Sequence, residues 1–166
     1  MAARRFQVQP AQKTVLRLLF SSDGRWLAAY DEDDTIHLLD VARGQVVYSV
    51  AGVPGIFCLA FSRGGDTLIT GDPARHVIIR DAATGEVRSM LRGHVGDITS
   101  VDASSTEDLV ASSGADGTMR LWNLKTGRCV ATMEPAGPYA GMNIAGVTGI
   151  TPAQRATLIA LGAVED

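Results

Sequence analysis

Residues 98–133 read ITSVDASSTEDLVASSGADGTMRLWNLKTGRCVATM. Short apolar and β-branched runs alternate here with the turn sequences Asp116-Gly117 and Lys125-Thr126-Gly127, the punctuation of tight hairpins. A helical reading fails, because Gly, Asp and Ser interrupt the pattern every eight to ten residues. Working outward, the same grammar occurs twice more upstream. It runs from Thr14 to Val50 as TVLRLLFSSDGRWLAAYDEDDTIHLLDVARGQVVYSV, and from Ile56 to Leu91 as IFCLAFSRGGDTLITGDPARHVIIRDAATGEVRSML. The pairs Leu39-Asp40, Arg80-Asp81 and Trp122-Asn123 lie 41 and 42 residues apart, and each is followed at one offset by a Gly turn (Arg43-Gly44, Thr84-Gly85, Thr126-Gly127). A forty-residue period of this kind is the signature of stacked repeats.

Each period is read as four short strands. In the first these are Val15–Phe20, Trp26–Tyr30, Thr35–Leu39 and Gln45–Val50, separated by turns at Ser22-Asp23-Gly24, Asp33-Asp34 and Arg43-Gly44. Strands so short, apolar on both faces in places, suit small sheets stacked between neighbours. Upstream, Phe6-Gln7-Val8-Gln9 alternates and is read as a further strand, over residues 5–9, left from a preceding sheet. After Met133 the period changes. Gly137 to Gly149 is too Gly-rich for a regular element and is expected to be an ordered loop packed by Tyr139, Met142, Ile144 and Val147. Thr151-Pro152-Ala153-Gln154 then offers an N-cap Thr, a first-turn Pro and a Gln for a capping box, predicting a helix from Pro152 to Leu161 with Gly162 as its stop. The domain division is therefore 1–136 for the strand repeats and 137–166 for loop and capping helix.

Composition sets the class. The chain has 166 residues, 46% apolar and 20% charged, with 18 Gly and a formal net charge of -3, values of a globular protein rich in turns. Beyond Arg4-Arg5 there is no basic run, which argues against nucleic acid or anionic membrane as partner. No signal-peptide core or stretch of 18 apolar residues appears, so a cytoplasmic protein is expected. Cys58 and Cys129 sit in apolar runs without CxxC spacing and are read as reduced core residues.

The segment Gly93-His94 … Ser112 … Asp116-Gly117-Thr118-Met119-Arg120-Leu121-Trp122-Asn123 resembles a WD40 repeat. The resemblance implies an all-β fold of three four-stranded β-propeller blades plus a short C-terminal helix, and a structural tetrad of His94, Ser112, Asp116 and Trp122 whose buried polar groups satisfy one another. The other two repeats depart from the pattern. The first keeps Asp33 at the turn but has Leu39 at the Trp position and no Gly-His pair; the second has Ala74-Arg75 for Asp-Gly and Arg80 for Trp. The tail from Pro138 to Asp166 resembles the ending that follows WD40 repeats in bacterial, especially cyanobacterial, multi-domain proteins, which implies a true C-terminus.

Three blades do not close a ring, since propellers generally hold four to eight, and open flanks expose apolar surface. A homo-oligomer, or a hetero-partner completing the propeller, is therefore expected, with the tail helix as a candidate cap through Leu158, Ile159 and Leu161. Chemistry has thin support. His37 and His76 open the third strand of successive repeats and are read as ordinary strand residues, since a metal would need closer ligands; no metal and no cofactor are expected. His94, Ser112 and Asp116 supply Ser-His-Asp residue types without a nucleophile elbow, so a propeller hydrolase is the least favoured reading. Neither GxGxxG nor a Walker sequence is present. The expected function is a protein-interaction scaffold, or else a structural subunit. Its partners are proteins, and its candidate surface residues are Asp31, Glu32, Asp33, Asp34, Arg75 and His76 on projecting turns.

Overall fold

The computed structural model describes residues 14–50, 58–72, 74–134 and 140–165; the strand expected at residues 5–9 and Tyr139 lie outside them. Three antiparallel meanders of four strands account for the repeats. Blade 1 holds β1 (Val15–Phe20), β2 (Trp26–Asp31), β3 (Ile36–Asp40) and β4 (Gln45–Val50). Blade 2 holds β5 (Leu59–Phe61), β6 (Thr67–Gly71), β7 (His76–Asp81) and β8 (Val87–Arg92). Blade 3 holds β9 (Ile98–Ala103), β10 (Leu109–Gly114), β11 (Met119–Asn123) and β12 (Cys129–Met133). In every blade the pairing of third and fourth strands shifts register at the same place, at Leu38/Leu39, Ile79/Arg80 and Leu121/Trp122. These are bulges, which bend the outer strand and increase its twist.

The repeated Asp or Asn after each third strand has a mechanical reason. The side chains of Asp40, Asp81 and Asn123 accept hydrogen bonds from the backbone N–H groups of Arg43, Thr84 and Thr126 at 2.9 Å each. Their carbonyls accept from Gly44, Gly85 and Gly127, which sit at positive φ of 68°, 78° and 68°. A short polar side chain that folds onto its own turn, followed by a residue free to be left-handed, is what closes this hairpin. Neighbouring blades are also tied turn to turn. Ser22 Oγ donates to the carbonyl of Arg63 at 2.5 Å, and the Arg63 guanidinium donates to the carbonyl of Thr106 at 2.8 Å, one repeat further on each time.

Two clusters form the core, and both lie between blades. Trp26, Ala28, Tyr30, Ile36 and Leu38 of blade 1 pack against Leu59 and Leu68 of blade 2. On the other side, Ala60, Ile69, Val77 and Ile79 of blade 2 pack against Ile98, Val101, Val110 and Trp122 of blade 3. Adjacent residues of one strand, such as Leu68 and Ile69, therefore serve different interfaces, as the period of two requires. Cys58 lies in the second cluster, but Cys129 is exposed, correcting its expected place in the core. The cause is position in the sheet: β12 is an outer strand with a neighbour on one side only, and all five of its residues are exposed.

The described residues group into two compact units, one ending at Met133 and one beginning at Glu134. In the second, α1 (Pro152–Ala160) begins with the capping box, Thr151 Oγ1 accepting from Gln154 N while Gln154 Oε1 accepts from Thr151 N, and it ends at Leu161 rather than including it. Backbone hydrogen bonds of Val164 with Met142 and of Ile144 with Val164, both 2.9 Å, close the unit around buried Ile144 and Ala163. Met142 and Val147, expected to pack this loop, are exposed instead.

Blades 2 and 3 approach closely at Gly71, where a Cβ would stand 2.5 Å from both Cys58 Sγ and Ile98 Cγ2. Gly71→Val should therefore lower unfolding free energy by about 1–3 kcal/mol through overpacking. Gly64→Ala, where a Cβ would meet only Asp66 Oδ1 at 3.8 Å, should leave the urea midpoint unchanged. Equal midpoints for the two variants would show that blades 2 and 3 are not packed as described.

Candidate functional site

Blade 3 holds a linear chain of buried polar groups. Trp122, on β11, donates its indole N–H to Ser112 Oγ on β10 at 2.8 Å. Ser112 Oγ lies 2.8 Å from His94 Nε2, and His94 Nδ1 lies 3.0 Å from Asp116 Oδ2. One assignment of protons satisfies every atom: the serine accepts from the indole and donates to Nε2, so Nδ1 carries the imidazole hydrogen and donates to the carboxylate. His94 sits between β8 and β9, so the chain fastens the connection leaving blade 2 onto the hairpin of blade 3. Asp116 also accepts from Thr118 N at 3.0 Å, Thr118 Oγ1 at 2.8 Å and Val95 N at 2.8 Å. Burial by itself would push its carboxyl pKa up; the Thr118 and Val95 donors and His94 outweigh that and hold it well below the usual carboxylate range.

The order Ser–His–Asp is that of a hydrolytic triad, yet the chemistry is closed. Ser112 is 3% exposed, its lone pair is engaged by Trp122, and it lies mid-strand. A nucleophile must reach a substrate carbonyl and have a free site beside it for the oxyanion. These groups can hold a loop, and a substrate has no approach to them.

Blades 1 and 2 solve the same turn differently. The pairing register places Asp31, Asp72 and Gly114 at equivalent positions, with N–H bonds to Thr35 O, His76 O and Thr118 O. In blade 1, Asp31 Oδ1 accepts from Asp33 N and Thr35 N at 3.1 and 2.9 Å, while Oδ2 lies 3.0 Å from His37 Nε2. His37 Nδ1 in turn meets Ser49 Oγ at 2.7 Å. In blade 2, Asp72 Oδ1 accepts from His76 N at 2.8 Å and Oδ2 lies 3.3 Å from His76 Nδ1. In blade 3 that position must be Gly, because a Cβ on Gly114 would stand 2.6 Å from His94 Nδ1 and 2.8 Å from Asp116 Oδ1. The two devices exclude each other.

This corrects part of the sequence reading. Asp31 is 3% exposed, so it is a turn anchor and not a recognition residue, and it does for blade 1 what the repeat alignment assigns to Asp33. Asp34 is half-buried at φ 60°, bonded to the Tyr30 hydroxyl, and His76 is half-buried on Asp72. Glu32, Asp33 and Arg75 are exposed on the turns. His37, read as an ordinary strand residue, is a buried partner of Asp31 and Ser49; its separation of six residues from Asp31 carried no motif. Among the described residues no group of three His, Cys, Asp or Glu side chains converges as a metal site.

Trp122→Ala should cost about 3–5 kcal/mol, from the cavity at the junction of blades 2 and 3 and the unpaired serine. A loss below about 1 kcal/mol in urea unfolding would contradict the chain as drawn. Because the Asp116 carboxyl is held below its ordinary value of 3.8, its contribution is complete above that value and is lost as pH falls toward the folded one. The wild-type urea midpoint should thus drop more steeply below about pH 4 than that of Asp116→Asn. Parallel acid branches would show that the carboxylate is not so held.

Residues 85–123 match the family described as "WD domain, G-beta repeat", and residues 3–64 match "Anaphase-promoting complex subunit 4 WD40 domain". The first match begins before β8 and ends with β11, so the sequence repeat straddles two blades, as the His94 connection does. Translation initiation factor 3 subunit I of Botryotinia fuckeliana is 36% identical over 76 residues, covering 46% of this chain and 23% of that protein. The COMPASS component SWD3 of Saccharomyces cerevisiae is 26% identical over 117 residues, covering 70% of this chain and 37% of that protein. Among solved structures, "Structure of U3-55K" superposes with a TM-score of 0.68 at 19% identity, covering 76% of this chain and 41% of that one, and "Crystal structure of RRP9 WD40 repeats" does so equally well. The chain thus spans well under half the length of these relatives. With these matches and three four-stranded sheets stacked by their faces, the chain is a WD40-repeat protein of the β-propeller family.

Proposed function

We propose that this chain is a protein-interaction scaffold. The observation that carries the proposal is the inward use of polar side chains at the hairpin between the second and third strands of each blade: Asp31, Asp72 and Asp116 each fold back onto their own turn. Their neighbours Glu32, Asp33, Ala74, Arg75 and Val95 are left exposed on a braced frame. Fixed, outward-facing side chains suit recognition, because little ordering entropy remains to be lost on binding. The names of two relatives, a subunit of an initiation factor and a component of COMPASS, support the same reading. The buried Ser112 gives no support to a hydrolase.

A second reading rests on a different observation. The outer faces of blades 1 and 3 carry exposed apolar residues, among them Leu18, Phe20, Met119 and Met133, which favours assembly with further blades. The tail's likeness to the segment following WD40 repeats in bacterial multi-domain proteins belongs to this proposal too, and its support is the sequence alone.

The test is comparative affinity capture from the source cells with the wild-type chain and the triple variant Glu32→Lys, Asp33→Lys, Arg75→Glu. The variant should keep the wild-type thermal midpoint and lose most of the specifically retained proteins. An unchanged set of retained proteins would remove the turns from the recognition surface.

A further inference from the structure

We propose that a cleft between blades 1 and 2, at the end of the sheets opposite the Asp31 and Asp72 turns, binds a side-chain carboxylate of a partner protein. The inference rests on the scaffold function proposed above and gives it a second surface, with the chemistry of what that surface holds. The cleft has a volume of about 340 Å³ and is bordered by Arg25, Trp26, Asp40, Arg43 and Val47 of blade 1 and by Ala83 of blade 2. Here the three blades correspond residue by residue. The carbonyls of Arg25, Asp66 and Asp108 accept from the N–H groups of Val41, Ala82 and Leu124, so these three occupy one position. In blade 2 Asp66 is paired with Arg88 at 3.8 Å, and in blade 3 Asp108 is paired with Lys125 at 2.6 Å. Blade 1 carries the opposite charge at this position, and strand pairing sets Val47 where blade 2 has Arg88. The next turn adds a further cation, since Arg43 stands where the other blades have Thr84 and Thr126.

Both cations are held in place with donors to spare. The Arg25 guanidinium lies 4.4 Å from the centre of the buried Trp26 ring, and among the described residues it makes no hydrogen bond or ion pair. A guanidinium stacked on an aromatic face keeps its in-plane N–H groups available, and their fork matches the two oxygens of a carboxylate. Arg43 gives one N–H to Asp40 at 2.8 Å while its side chain stays 73% exposed. Asp23, the acid of the adjoining turn, is taken up by Ser21 Oγ at 2.6 Å and by the backbone N–H of Arg25 at 3.0 Å. Charge decides the class of ligand. Among the described residues the cleft is lined by two guanidiniums and one carboxylate, leaving a single positive charge. One Asp or Glu side chain neutralises that charge, whereas a phosphate dianion would overshoot it and face Asp40. Val46 and Val47 form an apolar wall beside the cations, so the segment that fits carries an apolar side chain next to its acid. Because Trp26 and Asp40 already restrain the two arginines, little of their freedom remains to be lost on binding.

The experiment is an NMR titration of the full chain, followed on the side-chain Nε–H resonances of Arg25 and Arg43. The probes are a short peptide of alternating Glu and Leu, its Gln and Leu counterpart, and inorganic phosphate. Both resonances should move with the Glu peptide, while the Gln peptide and phosphate should each bind at least about tenfold more weakly. Arg25→Asp, which restores the charge that blades 2 and 3 carry there, should weaken the Glu peptide at least about tenfold. Arg43→Ala should do the same with an unaltered thermal midpoint, since that side chain is largely exposed. Resonances that stay still at millimolar Glu peptide overturn the proposal. So does equal binding of the Gln peptide, or an affinity that Arg43→Ala leaves unchanged. Phosphate binding as tightly as the Glu peptide overturns it too, and assigns the cleft to a phosphate-bearing ligand. The triple variant at residues 32, 33 and 75, altered at the other end of the sheets, should bind the Glu peptide as the wild type does, so the recognition role of those turns stands or falls separately.

Discussion

Neighbouring residues of a β-strand face opposite ways, and in blade 2 both directions are buried: Leu68 closes on blade 1 while Ile69 closes on blade 3. A four-stranded sheet with two apolar faces has no inside of its own. Its hydrophobic free energy, about 25 cal/mol for each Å² removed from water, is realised only when another sheet arrives on each side. Nearly everything else follows from that constraint. Strands are short because a blade need only be as tall as its neighbours. Turns carry the polar groups because the faces cannot, and the pairs of turns tied from blade to blade hold successive sheets at one spacing.

The four-membered polar chain of blade 3 enters the interior as a completed set. The Trp122–Ser112–His94–Asp116 chain leaves no donor or acceptor of its own idle, which is the condition for buried polarity to be tolerated. Blade 2 shows what happens without it. Arg80 replaces the tryptophan, reaches the carbonyl of Gly85 at 3.2 Å, and has no hydrogen-bond partner for its Nε among the described residues. The nearby Tyr48 hydroxyl is likewise unpartnered, and burial pushes its pKa to about 12. Away from the turns, the junction of blades 1 and 2 therefore relies on packing, such as the Tyr48 ring against Gly85, while the junction of blades 2 and 3 adds a buried hydrogen-bonded fastening.

The strands were legible because turn residues mark them from outside: Asp23-Gly24, Asp33-Asp34 and Arg43-Gly44 bounded β1 to β4 to within a residue or two. The members of the blade 3 chain could be named from the repeat resemblance, but their distances and the occupancy of Ser112 could not. Two kinds of information were hidden. One was position within a sheet: Cys129-Val130-Ala131 looks like core yet lies on an outer strand, and no local pattern tells an outer strand from an inner one. The other was side-chain reach. Asp31 and Asp33 are both acidic turn residues, and only the fold of the turn shows that the first bends inward to His37 while the second faces out.

The two tryptophans happen to stand at different seams. Trp26 is buried between blades 1 and 2, with the Arg25 guanidinium 4.4 Å above its ring, and Trp122 is buried between blades 2 and 3 with its N–H engaged. No third tryptophan exists in the chain. The molecule thus carries one intrinsic fluorophore per seam, each in a distinct electrostatic setting. Chains keeping a single indole would report the order in which the stack comes apart without any added dye.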